Sequence, residues 1–241
     1  MRAVQVNGFG GVDQLELVGF QDPQPQPGQV AIRVQACGLN YADVMQREGL
    51  YPGGPKPPFI PGLEVAGVVE EGDSLPAGIR VMAISSNGCH AERVCVSAAA
   101  CIPLPESMSF VEAAAFPVQY LTAYHALTTY GRAVTGETVL IHAAAGGVGT
   151  AAVQIAKLLG LHVVATASSE EKRKRVLDLG ADEVFNYEEF DQKLIGKNAP
   201  GLILEAVGGD VFRRSLAILP SLGRLVVFGA ASKDVQPVDT L

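Results

Sequence analysis

Thr138 to Ser168 reads TVLIHAAAGGVGTAAVQIAKLLGLHVVATAS, and here residue types and spacing point to chemistry. The apolar run Val139-Leu140-Ile141 predicts a buried strand, and the small residues from Ala143 to Gly149 a tight turn. Thr150 to Leu159 then predicts a helix and His162 to Ala167 a second strand. Glycines in such a turn let the backbone approach a diphosphate. The helix that follows offers unpaired N–H groups and the positive end of its dipole. The spacing is Ala144-x-Gly146-x-x-Gly149, with alanine at the first position of the usual pattern. Its place between a strand and a helix is what gives it weight. An NAD site carries Asp or Glu about 20 residues further on, to hold the ribose 2′-hydroxyl. Here that count reaches Thr166-Ala167-Ser168-Ser169, without a carboxylate, and Lys172, Arg173, Lys174 and Arg175 follow. Hydroxyls and cations suit a 2′-phosphate, so the expected cofactor is NADP(H). In the alternative reading, Glu170 to Arg175 is only the solvated face of a helix.

These residues need a scaffold. The 241 residues, 48% hydrophobic and 18% charged, can fill one or two cores and argue against disorder. A net charge of −7 gives no support to a nucleic-acid partner. His142, Gln154 and Lys157 interrupt the apolar region 138–167, so no membrane span is expected there. Cys37, Cys89, Cys95 and Cys101 form no C-x-x-C pair; buried reduced thiols in a cytoplasmic protein are expected. No leader is expected at the start of the chain, because Met1 to Val6 reads as a strand.

Residues 1 to about 108 read as short strands punctuated by Gly and Pro: Gln29–Ala36, Glu64–Glu70, Arg80–Ile84 and Ala91–Val96. This predicts a β-rich first domain in the form of a distorted barrel. Ser109-Phe110-Val111-Glu112 is a capping box, so a helix starts there and stops or kinks near Pro117. A second helix is expected over about 118–130. After the nucleotide unit the pattern alternates: a helix over about 170–179, a strand at Glu183–Tyr187, a strand at Gly201–Val207, a helix over about 210–219 and a strand at Arg224–Gly229. Such alternation predicts a parallel sheet with right-handed crossovers. Five strands are counted where a full dinucleotide fold has six.

Three motif groups, Gly38-Leu39-Asn40-Tyr41-Ala42-Asp43, Gly49-Leu50-Tyr51-Pro52 and Ile60-Pro61-Gly62-Leu63-Glu64-Val65-Ala66-Gly67, resemble the zinc-independent quinone oxidoreductases. That family is zeta-crystallin-like and belongs to the medium-chain dehydrogenase/reductase superfamily. Ala113-Ala114-Ala115, Tyr120 to Tyr124 and His142 to Gly149 extend the resemblance over essentially the whole chain. It implies an α/β protein: a GroES-like domain over 1–112 and a Rossmann doubly wound parallel sheet over 113–241, with NADPH in the cleft between them. Relatives continue past the position of Leu241, adding a sixth strand that often pairs two subunits. The resemblance therefore implies a truncated sheet here, and a homodimer at full length.

The zinc-dependent members carry Cys where this chain has Asn40, and Gly-His-Glu where it has Gly62-Leu63-Glu64. Leu63 cannot ligate a metal and Asn40 is a poor zinc ligand, so no metal site is expected. Hydride would then go to a quinone or an enone, with charge spreading onto an oxygen that needs hydrogen-bond donors. By resemblance those positions are Asn40, Tyr51, Thr122 and Gln119. Each of the first three has a plainer alternative: a turn residue for Asn40, a ring packed under Pro52 for Tyr51, a helix hydroxyl bonded to its own backbone for Thr122. The resemblance also places the diphosphate on Ala145, Gly146, Gly147, Val148 and Gly149, with Gly229 nearby, and the 2′-phosphate on Ser168, Lys172 and Tyr187. Tyr187 is otherwise an ordinary strand-end aromatic, and His142 is expected to pack within its strand. The expected function is NADPH-dependent reduction of quinones or α,β-unsaturated carbonyls. The alternatives are an NADPH-binding protein without a catalytic role, as in crystallins, and an enoyl-thioester reductase.

Overall fold

A computed structural model describes residues 1–234, and the chain divides into two compact units, Met1–Val118 and Gln119–Leu241. In the first unit, β1 (Arg2–Val6) pairs antiparallel with β2 (Leu15–Gly19). A five-stranded antiparallel sheet is built from β3 (Gln29–Cys37), β4 (Glu64–Gly72), β5 (Arg80–Ile84), β6 (Arg93–Ser97) and β7 (Cys101–Pro103), in the order β6-β3-β4-β5-β7. Val30, Ile32, Val65, Val69, Val81 and Val94 fill its core, the inward positions of alternating strands. Register shifts in β3 after Ala31 and after Val34 bend the sheet toward a barrel.

Two helices complete this unit. The first, α1 (Tyr41–Glu48), falls in a stretch between strands for which the sequence pattern predicts no element. Its start is marked by Asn40 with Asp43 three residues on, a capping pair outside the usual Ser/Thr–Glu form. Gly49, at φ 76°, ends it in the left-handed region. The second, α2 (Phe110–Ala114), starts at the expected Ser109–Glu112 capping box. Its Ala113 and Ala114 bury against Ala66 and Met82, so α2 packs with the first unit although the sequence assigns its second half to the second domain.

Pro117 opens the next helix instead of only ending the last. A proline at a first helical position gives up no intrahelical bond. This helix, α3 (Pro117–Tyr124), runs on into a π-helical segment, His125–Tyr130, where Gly131 N–H donates to Ala126 O five residues back.

The second unit is a five-stranded parallel sheet of β8 (Thr138–Ile141), β9 (His162–Thr166), β10 (Glu183–Phe185), β11 (Leu202–Glu205) and β12 (Arg224–Val227). The order is β10-β9-β8-β11-β12, so strand order reverses between β8 and β11. Its helices are α4 (Gly147–Leu158), α5 (Glu170–Asp178), the short α6 (Phe190–Lys193) and α7 (Gly209–Ile218). Both faces of the sheet are covered. Val139, Ile141, Val163 and Leu204 pack on the α4 side with Ala152 and Ala156, while Leu140, Val164 and Ile203 pack on the other with Phe190 and Ile218. Among the described residues no helix is long and apolar enough to cross a membrane.

Candidate active site

The turn after β8 sits at the switch point where strand order reverses, the place an open α/β sheet offers to a ligand. Helix α4 begins at Gly147, three residues before the sequence pattern suggests, because glycine's low helix propensity hid its first turn. The left-handed residue of the turn is Ala143, φ 50°, and not one of the glycines. Its carbonyl accepts from Gly146 N–H at 2.9 Å, and Ala144 N–H donates to Thr166 O at 3.1 Å.

The glycines instead allow close approach. A Cβ on Gly149 would lie 2.4 Å from Ala143 O and 2.6 Å from Ala144 Cα. On Gly147 it would lie 2.8 Å from Gln119 Cγ, so the structure brings the candidate Gln119 onto the turn after β8. Gly146 and Gly147 are exposed, Ala145 and Val148 half-buried and Gly149 buried.

At the end of β9, Thr166 and Ala167 are buried and Ser168 is exposed. Lys172 Nζ donates to Ser168 Oγ at 3.5 Å, and Lys172 N–H to the capping Ser169 Oγ at 3.3 Å. Among the described residues, Lys172, Arg173, Lys174 and Arg175 form no ion pair, although Arg214 pairs with Asp191 and Lys157 with Asp182. Gly229 follows β12, where a Cβ would lie 3.3 Å from Ala206 O in the loop after β11.

Thr122 lines a separate groove of about 600 Å³ with His125, Tyr130 and β12 residues Arg224 to Val227. A helix-bonded hydroxyl in this stretch is that of Thr128, which donates to Tyr124 O at 2.7 Å.

His142 lies one residue past β8, fully buried. Burial depresses its pKa to about 3, with Arg214 adding to the effect, so the ring is neutral. Ser215 Oγ donates to Val211 O at 2.7 Å, so its oxygen accepts from His142 Nε2–H at 2.8 Å. Nδ1 then accepts from the Thr166 hydroxyl at 2.9 Å.

In the first unit, Asn40 caps α1. Its backbone N–H donates to Asp43 Oδ2 at 2.8 Å and its Nδ2 to Glu64 Oε1 at 2.8 Å. Glu64 is fully buried, and its other oxygen accepts from Val118 N–H at 2.8 Å. Asp43 also accepts from Gly62 N–H at 3.1 Å; burial nonetheless pushes its carboxyl above the usual range. His90 Nε2 donates to Gly38 O at 2.9 Å. A Cβ at Gly38 would stand 2.2 Å from Glu64 Oε1, which is why only glycine fits there. Tyr51, in the loop after α1, is 40% exposed.

Sequence reasoning passed over Glu64, Asp43 and Glu205 as anchors. Glu205 is buried at the end of β11 and accepts from the N–H groups of Val207 and Gly208. The available signal was a lone carboxylate at the end of an apolar strand. Of the four cysteines only Cys89 is buried, its thiol pushed up to about 12; Cys37 is exposed, and Cys95 and Cys101 are half-buried. The expectation of buried thiols therefore holds for one of them.

Family models agree with this arrangement. "Alcohol dehydrogenase GroES-like domain" matches residues 26–106 and "Zinc-binding dehydrogenase" residues 147–241. The rat (Rattus norvegicus) quinone oxidoreductase is 40% identical over 253 residues, covering 100% of this chain and 77% of the rat protein. The chain belongs to the quinone oxidoreductase family. As a member of that medium-chain dehydrogenase/reductase family it is an oxidoreductase. Among solved quinone oxidoreductases, that of Thermus thermophilus, whose structures include a complex with NADPH, is 44% identical with a TM-score of 0.86. It is matched over 99% of this chain and 76% of that one. The Pseudomonas syringae enzyme is 35% identical with a TM-score of 0.93, over 99% and 76%.

Proposed function

We propose that this oxidoreductase reduces quinones or α,β-unsaturated carbonyls with NADPH, without zinc. The observation that carries the reading is the exposed Gly146–Gly147 backbone opening α4 at the switch point of the sheet. First-turn N–H groups have no intrahelical acceptor, and two residues without side chains leave room for a diphosphate. Beyond β9, Ser168 and Lys172 supply a hydroxyl and a cation for the 2′-phosphate, and the strand end itself, Thr166 to Ser169, carries no carboxylate. Ala145, Val148, Tyr187 and Gly229 complete the cofactor site.

When bound, the reduced nicotinamide supplies a hydride; the chain supplies position and charge stabilisation. Asn40, whose amide is held by the buried Glu64, and Tyr51, Gln119 and Thr122 are the groups we assign to substrate and nicotinamide. Donors among them stabilise the negative charge that develops on the acceptor oxygen. Two residues support the reading without zinc: Leu63 offers no ligand atom, and the neutral amide of Asn40 is a poor zinc ligand. The free thiols suit a reducing cytoplasm.

The test is NADPH oxidation with a simple ortho- or para-quinone and with an α,β-unsaturated ketone, in the presence of a chelator. Turnover that survives chelation is expected. Cofactor binding with neither acceptor reduced would refute the reading. Lys172→Ala is expected to weaken NADPH by about tenfold, the scale of one charge-assisted bond, and to leave NADH unchanged. Fluorescence titration checks this, and equal losses for both cofactors would remove Lys172 from the phosphate site.

A further inference from the structure

Tyr187 is held at three points. Its phenol oxygen accepts from the N–H of Ala143 at 3.0 Å. Its ring lies nearly parallel to the buried His142 ring, 6.2 Å between centroids and 22° between planes. Its carbonyl accepts from Arg214 Nη1 at 2.7 Å, and Arg214 is itself fixed by Asp191, with Nε to Oδ2 at 2.8 Å. His142 cannot turn, because Thr166 and Ser215 engage both ring nitrogens. Phe190 closes its other side at 4.9 Å, edge on. The hydroxyl is thus placed by groups from β9, α6 and α7, and it is aimed at the one residue of the turn whose φ, 50°, an L-residue resists. Acceptance from Ala143 uses a lone pair and leaves the phenolic proton available.

We propose that Tyr187 is a positioning residue for the diphosphate turn: its hydroxyl holds Ala143 left-handed, so the tyrosine supports cofactors with and without a 2′-phosphate. This deepens the nucleotide reading above and rests on it. A tyrosine serving the 2′-phosphate alone would matter only to NADPH. A tyrosine that presets the turn matters to every ligand whose diphosphate lies there.

The experiment compares the full chain with Tyr187→Phe, which keeps the ring on His142 and removes only the hydroxyl, with Lys172→Ala as the control. Dissociation constants for NADPH, NADH and ADP are measured by titration. Amide exchange at Ala143 is followed beside that at Leu140, and melting temperatures are recorded. Tyr187→Phe should weaken NADH and ADP by about three- to tenfold, the worth of one hydrogen bond, and speed exchange at Ala143 but not at Leu140. Unchanged NADH and ADP binding overturns the inference, whether or not NADPH weakens. A wild type that binds none of the three overturns the nucleotide reading itself.

Discussion

Acidification from pH 6.5 toward 3 is expected to strip stability from the second unit through one side chain, His142. In the unfolded chain this imidazole titrates near its ordinary 6.5; in the native fold it stays neutral down to about 3. The native pKa is depressed, so the stability it confers is fully present above 6.5 and is lost as pH falls to about 3. That window corresponds to about 4 to 5 kcal/mol in all, of which about 2 to 3 kcal/mol falls above pH 4.5. In that upper range most carboxylates of the unfolded chain remain ionised. Asp43 and Glu205, whose carboxyls burial pushes up, act with the opposite sign and gain stability as pH falls. The measurement is therefore a difference. Core amide exchange at Leu140 and Val164 is followed from pH 7.5 to 4.5 in the wild type and in His142→Gln. The variant starts less stable, and the gap between the two should narrow by about 2 kcal/mol over that range. Parallel curves would mean that the imidazole does not stay neutral in the fold.

The second large effect is steric. Gly149→Ala should cost about 3 kcal/mol or more, because its Cβ would meet Ala143 O and the Ala144 backbone, none of which can rotate away. Gly147→Ala meets only the side chain of Gln119, which has χ angles to spare, so its effect on stability should be much smaller. Thermal unfolding of the two variants decides the point, and equal melting temperatures would contradict it. The pair also separates roles: Gly149 serves strand-to-helix packing, while Gly147 keeps room between Gln119 and whatever lies on the turn.

The alternation of strands and helices after Ser109 was legible because the strands are short apolar runs, the three central ones largely buried, and some helices carry a start signal of their own. Strands Arg80–Ile84 and Gln29–Cys37 were equally plain, since alternation survives wherever one sheet face is covered. Helix α1 was not, because its cap is Asn40 with Asp43 and its only fully buried residues, Asp43 and Gln46, are polar. Helix α4 was located but begun late, since Gly147 and Gly149 serve contact instead of propensity. The candidate residues could be named from their motifs, yet their supports were invisible. Glu64 reaches Asn40 across 24 positions and Val118 across 54, and no local pattern encodes such pairings. The same holds for Tyr187 and Ala143, 44 positions apart.

The wide segment His125–Tyr130 carries a consequence for how this scaffold changes over evolutionary time. A π turn accommodates one residue more than an α-helix of equal length, so deleting one residue there would restore ordinary winding and leave the stretch upstream facing as it does now. Gln119 and Thr122 lie in that upstream stretch. A lineage can therefore gain or lose one residue here while both keep their facing, leaving the sequence and register of every strand as they are.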